Sequence, residues 1–299
     1  MRWLALMVLV AGLSLAGSAL ARDGFIYSKG HYRFFSVPGT NNTEAFGINN
    51  LGQIVGLDQI TAGYSGFVYE NGQYTDITVP ESVSTEALGI NNHGDIVGTY
   101  TSSSGPQVGF IYSNGAYTTL NVPGSFNTDV SAINDAGEIV GTAEVFGSFG
   151  DEQVGFTYHN GVYTTFSLPG AQYTFPTSVN NVGEVIGFGG THSYAGFAYD
   201  GTTFSSLAGF PGGINNIGLI DGTIGSSTGY IYDGSSYHTI PPSGRSGEFR
   251  GMNDSGQIVG FADSFVHEGS TWMIMIVGLG LLGTALRGRQ QSADLLDTN

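Results

Sequence analysis

Four acidic and two aromatic residues occupy one repeated position of this sequence and are its main candidates for chemistry. They stand at equivalent places in six similar segments: Glu44, Glu86, Asp129, Phe175, Phe210 and Glu248. Grouped carboxylates with no basic residue between them repel one another, and a bound cation such as Ca²⁺ relieves that repulsion. Acids are also common on any exposed rim. Two interpretations therefore stay open, a ligand site and four solvated acids.

A second candidate set is the pair of Asn or Asp residues that follows each of these positions. The pairs are Asn49 and Asn50, Asn91 and Asn92, Asn134 and Asp135, Asn180 and Asn181, Asn215 and Asn216, and Asn253 and Asp254. A calcium site needs several converging oxygens, preferably carboxylates, and only two of the six pairs contain an Asp. Asn and Asp also favour turns, because their side chains bond their own backbone. We interpret the pairs as turns.

The segments that vary most between repeats carry aromatic rings and hydrogen-bond acceptors. They include Tyr64, Tyr100, Phe149 and Asp151. Aromatic platforms beside acceptors suit neutral sugars, and variable loops on a repeated scaffold are where binding usually resides. We expect an extracellular glycan as the partner, with ordinary loop variation as the alternative.

Catalytic signals are few. The chain has no cysteine, which excludes thiolate metal sites, Cys nucleophiles and disulfides. It has no H-E-x-x-H motif and no phosphate-binding loop. We name no catalytic residue and no cofactor other than a calcium ion, and an enzyme is less expected than a binding or structural module. The alternative is a hydrolase or lyase that acts on glycans with the carboxylates named above.

One residue breaks the repeat. Asp221 stands where the other copies have an aliphatic residue, at Val55, Val97, Val140, Ile186 and Val259. It marks either a functional exception or a degenerate fifth copy.

The elements that position these residues are repeated strands. Six segments resemble "GFIYSNGAYTTLNVPG" and six resemble "INNHGDIVG", and the first four copies of the former have a period of 42 to 46 residues. Each period contains four short alternating segments, in the second copy 86–91, 95–100, 108–112 and 116–122. Four strands repeated six times predict an all-β, six-bladed β-propeller. Segments 248–262 and 24–37 would together form the last blade. A linear β-solenoid is the alternative.

Two-residue turns separate the last two strands in five of the six periods. They are Asn71-Gly72, Asn114-Gly115 and Asn160-Gly161, with Asp200-Gly201 and Asp233-Gly234 in the same place. Such dipeptides favour the type I′ hairpin, in which both residues need a positive φ.

The charge balance excludes whole classes of partner. The chain has eight Lys and Arg against 24 Asp and Glu, and none of the basic residues lies between positions 34 and 244. No surface can neutralise phosphates, so nucleic acid is not an expected partner. We expect a monomer.

Both ends carry targeting signals. Residues 1–21 have an early Arg, an apolar run and an A-x-A site, which is typical of a secretory signal peptide. An uncharged, mostly apolar stretch at 270–286 precedes Arg287 and Arg289, which predicts a short transmembrane helix with a cytoplasmic C-terminus. The expected parts are 1–21 signal peptide, 22–266 propeller and 267–299 sorting segment.

Two families are similar in sequence. The tail, with Glu268, Ser270, Thr271 and Trp272 before the apolar stretch and the arginines after it, resembles the PEP-CTERM sorting tails of Gram-negative bacteria. That resemblance implies a sorting enzyme as partner and a transient inner-membrane anchor. The repeats at 24–262 resemble HAF extracellular repeats, which implies a cell-surface or secreted location and no established reaction.

Overall fold

The computed structural model of the chain describes residues 21–264, except positions 62, 104, 148, 149 and 226. These residues form 24 β-strands and no helix. The all-β prediction is therefore confirmed for the described part, in which no helix is long and apolar enough to cross a membrane. The predicted signal peptide, apart from residue 21, and the predicted sorting segment at 267–299 lie outside the described residues.

The strands are three to ten residues long. The first twelve are β1 Arg22–Ser28, β2 His31–Phe35, β3 Thr43–Ile48, β4 Ile54–Ile60, β5 Gly63–Glu70, β6 Gln73–Ile77, β7 Ser82–Ile90, β8 Ile96–Ser102, β9 Gln107–Ser113, β10 Ala116–Leu120, β11 Asn127–Ile133 and β12 Ile139–Gly147. The others are β13 Gly150–His159, β14 Val162–Phe166, β15 Tyr173–Val179, β16 Val185–Gly190, β17 Tyr194–Tyr199, β18 Phe204–Leu207, β19 Phe210–Ile214, β20 Ile220–Ile224, β21 Thr228–Tyr232, β22 Tyr237–Thr239, β23 Gly247–Met252 and β24 Ile258–Asp263.

The strands pair as antiparallel four-stranded units. Four sheets contain one unit each, with the strand orders β3-β4-β5-β6, β7-β8-β9-β10, β19-β20-β21-β22 and β23-β24-β1-β2. A fifth sheet contains two units, β11 to β14 and β15 to β18, joined by a single parallel pair between Gln153 and Tyr173. We number the units one to six by their first strands, which are β3, β7, β11, β15, β19 and β23.

The sixth unit combines the two ends of the described chain. Strand β1 pairs antiparallel with β24, with Phe25 opposite Gly260, and β24 pairs with β23. Strand β2 completes the unit on the other side of β1.

The second unit shows how closely the strand pattern predicts the strands. Its four strands lie where the alternating segments were, but β7 begins at Ser82, four residues before the predicted start. The extension forms because Ser82 and Ser84 pair with Ser102 and Thr101 across a bulge. The sequence has no alternating apolar residues there, so the pattern did not show it.

The hairpin prediction is right for the Asn-Gly turns and wrong for the two Asp-Gly turns. In Asn114-Gly115 both residues have a positive φ, of 51° and 81°. In Asp200-Gly201 only the glycine does, because the loop is four residues long and Asp200 Oδ1 accepts bonds from the N–H groups of Thr202 and Thr203. Asp233 accepts the same two bonds in the fifth unit, so here the carboxylate closes the loop.

The core lies between neighbouring units. One apolar cluster joins Val55 and Ile77 of the first unit to Ala87, Ile96 and Phe110 of the second. Both faces of most units are covered, which explains why whole strands are buried rather than alternate residues. Each first strand also contacts the next, β3 with β7 and so on to β19 with β23, and β23 contacts β3. The first strands therefore bring residues of different units together.

A glycine makes room for the buried ring of each unit. In the first unit a Cβ on Gly56 would lie 2.0 Å from the carbonyl oxygen of Glu44 and 2.6 Å from Phe67 Cζ. Phe67 is fully buried. The glycine of the repeated "IVG" motif and the aromatic ring of the repeated "GF" motif thus pack closely against each other.

Candidate functional site

The six residues of the repeated acidic and aromatic position lie at one level of the first strands. Each pairs with the equivalent residue of the second strand in its unit, for example Glu86 with Thr99 and Phe175 with Phe188. The sequence alignment of the repeats therefore corresponds to a structural alignment. Five of the six lie within the first three residues of their strands, and Glu86 lies at the middle of β7 because that strand begins earlier.

A cavity of about 200 Å³ lies among the first strands. It is lined by Glu44, Phe46, Leu57, Tyr64, Glu86, Leu88, Ser131, Thr177, Gly212, Arg250 and Phe261. Every first strand contributes the residue two positions after the acidic or aromatic one. Sequence reasoning missed that second row, although residues two apart on a strand share a face and the row could have been read from the alignment.

Glu44 is buried and paired with a basic residue. Arg22 Nη1 lies 2.6 Å from Glu44 Oε1, and the Arg22 guanidinium carbon lies 4.9 Å from the centre of the Phe261 ring. Arg22 directly follows the predicted cleavage site, and no motif in the sequence predicts that it lies here. The pair largely cancels the charge of Glu44 at the cavity.

Glu248 is paired in the same way. The Arg250 side chain donates a hydrogen bond to Glu248 Oε2. Its guanidinium carbon lies 5.6 Å from the Phe46 ring centre and 5.5 Å from that of Phe261. Two of the four predicted acids thus have arginine partners, and both arginines lie against aromatic rings of the cavity wall.

Glu86 and Asp129 have no such partner in the described chain. Burial, and then the charges of Asp129 and Glu44, raise the pKa of Glu86 to about 8. Burial and the charge of Glu144 raise the pKa of Asp129 to about 6. Asp129 Oδ1 is buried without a hydrogen-bond partner. No described cation is paired with either of these two carboxyl groups when they are ionised.

The described residues contain no group of three or more His, Cys, Asp or Glu side chains that could hold a metal ion. A calcium site at the four acids stays a prediction.

The two predicted aromatic positions belong to a larger cluster on the fourth and fifth units. We call this cluster the aromatic group: Tyr173, Phe175, Phe188, Tyr194 and Phe210. Ring centres lie 5.2 Å apart for Phe175 and Phe188 and 5.3 Å apart for Phe188 and Phe210. Tyr194 lies 6.0 Å from Phe175, and Tyr173 stacks on Phe175 at 6.3 Å. All five rings are half-buried, so part of each is open to solvent.

The predicted loop residues separate into different places. Tyr64 lines the cavity, and burial together with Glu44 and Glu86 raises its pKa. Tyr100 instead reaches the outer strand β10, where its hydroxyl lies 3.3 Å from Thr119 Oγ1. Asp151 is exposed near the start of β13. Phe149 lies outside the described residues.

The Asn and Asp pairs lie at the opposite end of the first strands and form turns, as predicted. Asn49 Oδ1 accepts bonds from the N–H groups of Leu51 and Gln53, at 3.1 and 3.0 Å. Asn49 Nδ2 also donates to the carbonyl of Asn91 in the next unit, at 3.0 Å. The first residue of the pair therefore closes its own turn and binds a neighbour.

The second residues of the pairs form a ring, which we call the Asx ring. The N–H group of each donates to Oδ1 of the next at 2.7 to 2.9 Å, in the order Asn50, Asn92, Asp135, Asn181, Asn216, Asp254 and back to Asn50. The sequence did not show this ring because consecutive members lie 35 to 46 residues apart, and 204 for the last pair.

The two aspartates satisfy the remaining amide donors of the Asx ring. Asp135 Oδ2 accepts from Asn92 Nδ2 and Asn181 Nδ2, both at 2.8 Å. Asp254 Oδ2 accepts from Asn50 and Asn216, at 2.7 and 2.9 Å. Burial acts to raise the pKa of Asp135, but these hydrogen bonds outweigh it and lower the pKa overall. The carboxylates at this end serve to join the units.

No protein-family model and no curated protein matches the sequence. The structure is similar to the β-propeller domain of the Trilobed protease from Pyrococcus furiosus, with a TM-score of 0.50, 12% identity, and coverage of 79% of this chain and 80% of that one. It is also similar to TolB from Acinetobacter baumannii, with a TM-score of 0.53, 10% identity, and coverage of 82% and 64%. At these identities the likeness shows the fold alone. The described chain has the fold of a β-propeller.

Proposed function

We propose that the chain is an exported six-bladed β-propeller, closed by its N-terminal strands, that binds an extracellular polysaccharide at the cavity end of its first strands. The observation that carries the binding proposal is the aromatic group beside the cavity. The comparisons support the fold, and the binding proposal rests on the described residues.

Closure of the propeller is supported by contacts at both ends of the first strands. The sixth unit contacts the first through β23, β24 and β3. The Asx ring returns from Asp254 to Asn50 with an N–O distance of 2.9 Å. Six units joined in this way form a cycle, which a linear solenoid does not. The four-stranded units are then the blades.

The aromatic group suits the apolar faces of sugar rings. Pyranose C–H groups pack on aromatic faces, while their hydroxyls need hydrogen-bond partners nearby. Phe175 and Phe210 belong to the group, and Thr177 and Ser131 line the adjacent cavity. Gln172 lies next to Tyr173 at the same end, and its amide donates to the Asp151 carbonyl. A neutral sugar chain placed here would meet both kinds of surface.

Export and surface location remain part of the proposal. The signal peptide at 1–21, the PEP-CTERM-like tail and the HAF-like repeats support an exported protein of a Gram-negative bacterium, anchored transiently in the inner membrane. A module that binds polysaccharide at the cell surface, or after release from it, is consistent with these signals.

The binding proposal is tested with an array of neutral oligosaccharides, namely α-glucans, β-glucans, mannans and galactans, probed with the full chain. We expect the protein to bind at least one class. The double variant Phe175→Ala, Phe210→Ala should lose about tenfold or more in affinity, or about 1.4 kcal/mol, because two stacking faces are removed.

The matched control is Tyr117→Ala, which removes a half-buried ring from the outer strand β10. It should leave binding unchanged. Absence of binding to every class, or equal loss in the control, would contradict the proposal. Chromatography of the same oligosaccharides after incubation separates binding from hydrolysis.

A further inference from the structure

Glu86 is a buried carboxyl group that points into the cavity without a partner. Its residue is 7% exposed, it lines the cavity, and its side chain makes no hydrogen bond or ion pair. Burying a carboxyl group without a partner is costly, so such groups are rare outside binding and catalytic sites.

No cation of the described residues acts on the charge of Glu86. No Lys or Arg lies between positions 34 and 244. Arg22 is paired with Glu44, and Arg250 with Glu248. The charges of Glu44 and Asp129 both act on Glu86, and Asp129 has a buried oxygen without a hydrogen-bond partner. The electrostatics at this wall therefore favour a positive group supplied from outside the chain.

The rest of the cavity wall favours an organic cation over a metal ion. Phe46, Leu57, Leu88 and Phe261 provide an apolar surface beside Glu86. A hard metal ion needs several converging oxygens, and the described residues contain no such group. An ammonium group on an apolar stem matches both parts of the wall, because the stem is removed from water as the charge is paired.

We propose that the cavity binds a primary ammonium group carried on a small apolar stem, with the ammonium group on the Glu86 carboxylate and the stem against Phe46, Leu88 and Phe261. This inference goes beyond the proposed function, since it concerns the cavity and not the aromatic group.

The proposal implies that binding depends on pH through Glu86. The groups that face Glu86 are Asp129, Glu44 with its partner Arg22, Tyr64, and Arg250 across the cavity. Because the pKa of Glu86 is raised to about 8, the free protein holds a proton there at pH 6 to 7. A bound ammonium group favours the carboxylate, so binding releases that proton.

The test is isothermal titration calorimetry of the full chain with benzylammonium and, for comparison, with its uncharged analogue benzyl alcohol. We expect benzylammonium to bind more tightly, with an affinity that rises between pH 6 and 8 by up to about tenfold per pH unit. In buffers of different ionisation enthalpy the heats should report about one proton released at pH 7. Glu86→Gln should lower the affinity about tenfold or more and abolish the pH dependence.

The control variant Glu70→Gln removes an exposed acid at an outer hairpin and should change nothing. Phe175→Ala, Phe210→Ala should keep benzylammonium binding within about twofold, which separates this site from the glycan proposal. Equal binding of benzyl alcohol, no detectable binding of benzylammonium, or full affinity in Glu86→Gln would overturn the inference. An affinity for benzylammonium that does not change with pH in the unmodified protein would also overturn it, even if Glu86→Gln failed to fold.

Discussion

Replacing Asp221 by valine should raise the free energy of unfolding by about 2 to 4 kcal/mol at pH 7. Asp221 is fully buried in β20. Neither carboxyl oxygen meets the geometry of a full hydrogen bond, and only weaker contacts with the backbone N–H groups of Gly213 and of Asp221 itself act on it. The other units place Val55, Val97, Val140, Ile186 and Val259 at this position, all fully buried. Valine is the residue that most of the other units bury at this position, so the change removes a buried polar group and restores the packing of the repeat. Chemical denaturation measures the difference.

The gain should be smaller at pH 4 than at pH 7. Burial raises the pKa of Asp221 well above its usual value, and the backbone of Gly213 and the charge of Arg250 oppose this only in part. Above the pKa of the unfolded chain, about 4, the unfolded chain loses the proton while the folded chain keeps it. Asp221 therefore destabilises the folded chain more at pH 7 than at pH 4. Valine removes that penalty.

The reciprocal variant Val97→Asp is the matched control, and it should lower stability most at neutral pH. An Asp221→Val protein that is no more stable, or equally stabilised at both pH values, would show that Asp221 has a partner or a charge in the folded state.

Replacing Asp135 by asparagine should lower the free energy of unfolding by about 3 kcal/mol. Asp135 Oδ2 accepts from two amide groups, Asn92 Nδ2 and Asn181 Nδ2. Asparagine would present an NH₂ group to these two donors, or flip and lose the bond from the Asn92 N–H. The first orientation loses two hydrogen bonds and the second loses one, and in both the remaining bonds are no longer assisted by a charge. Thermal unfolding followed by circular dichroism measures the effect.

The effect of Asp135→Asn should disappear in acid. The pKa of Asp135 is lowered in the folded chain, because its hydrogen bonds outweigh the effect of burial. At pH values above the pKa of Asp135 in the unfolded chain, about 4, the lowered pKa stabilises the folded chain. This stabilisation is lost as the pH falls through the pKa of Asp135 in the folded chain. Asp76→Asn, an exposed change on β6, should alter stability by less than about 0.5 kcal/mol. A similarly small effect of Asp135→Asn would mean that the Asx ring does not hold the units together.

The repeat pattern predicted the strands because strand formation is local. Alternation and Asn-Gly turns depend on neighbouring residues, so β7 to β10 lie close to the predicted segments. Asp200-Gly201 does not form the two-residue turn that the dipeptide predicts. Its loop is two residues longer, and the Asp200 carboxylate accepts hydrogen bonds from the N–H groups of that loop.

The candidate site was predictable only in part, because its contacts join residues far apart in the chain. The alignment placed Glu44 and Glu86 together, and both line the cavity. It could not show that Arg22 and Arg250 cancel two of the acids, because cation pairing depends on how the chain ends meet. Glu86 is unpaired because the two arginines pair with Glu44 and Glu248, and the residues around Glu86 in the sequence do not predict this.

The two ends of the first strands therefore differ in chemistry. At the Asx ring, the carboxylates of Asp135 and Asp254 are fully used by hydrogen bonds between units. At the cavity end, Glu86 has no partner and the aromatic group is half open to solvent. The binding that we propose therefore lies at the end of the six strands opposite the Asx ring.

Hydroxyl-radical footprinting by mass spectrometry tests the placement of the glycan site most directly. The full chain is oxidised with and without the oligosaccharide that binds most tightly in the array. The account predicts protection of Phe175, Phe188, Tyr194 and Phe210, with unchanged oxidation of Tyr117 on the outer strand. Protection of the outer rings, or none in the aromatic group at saturating oligosaccharide, would contradict it.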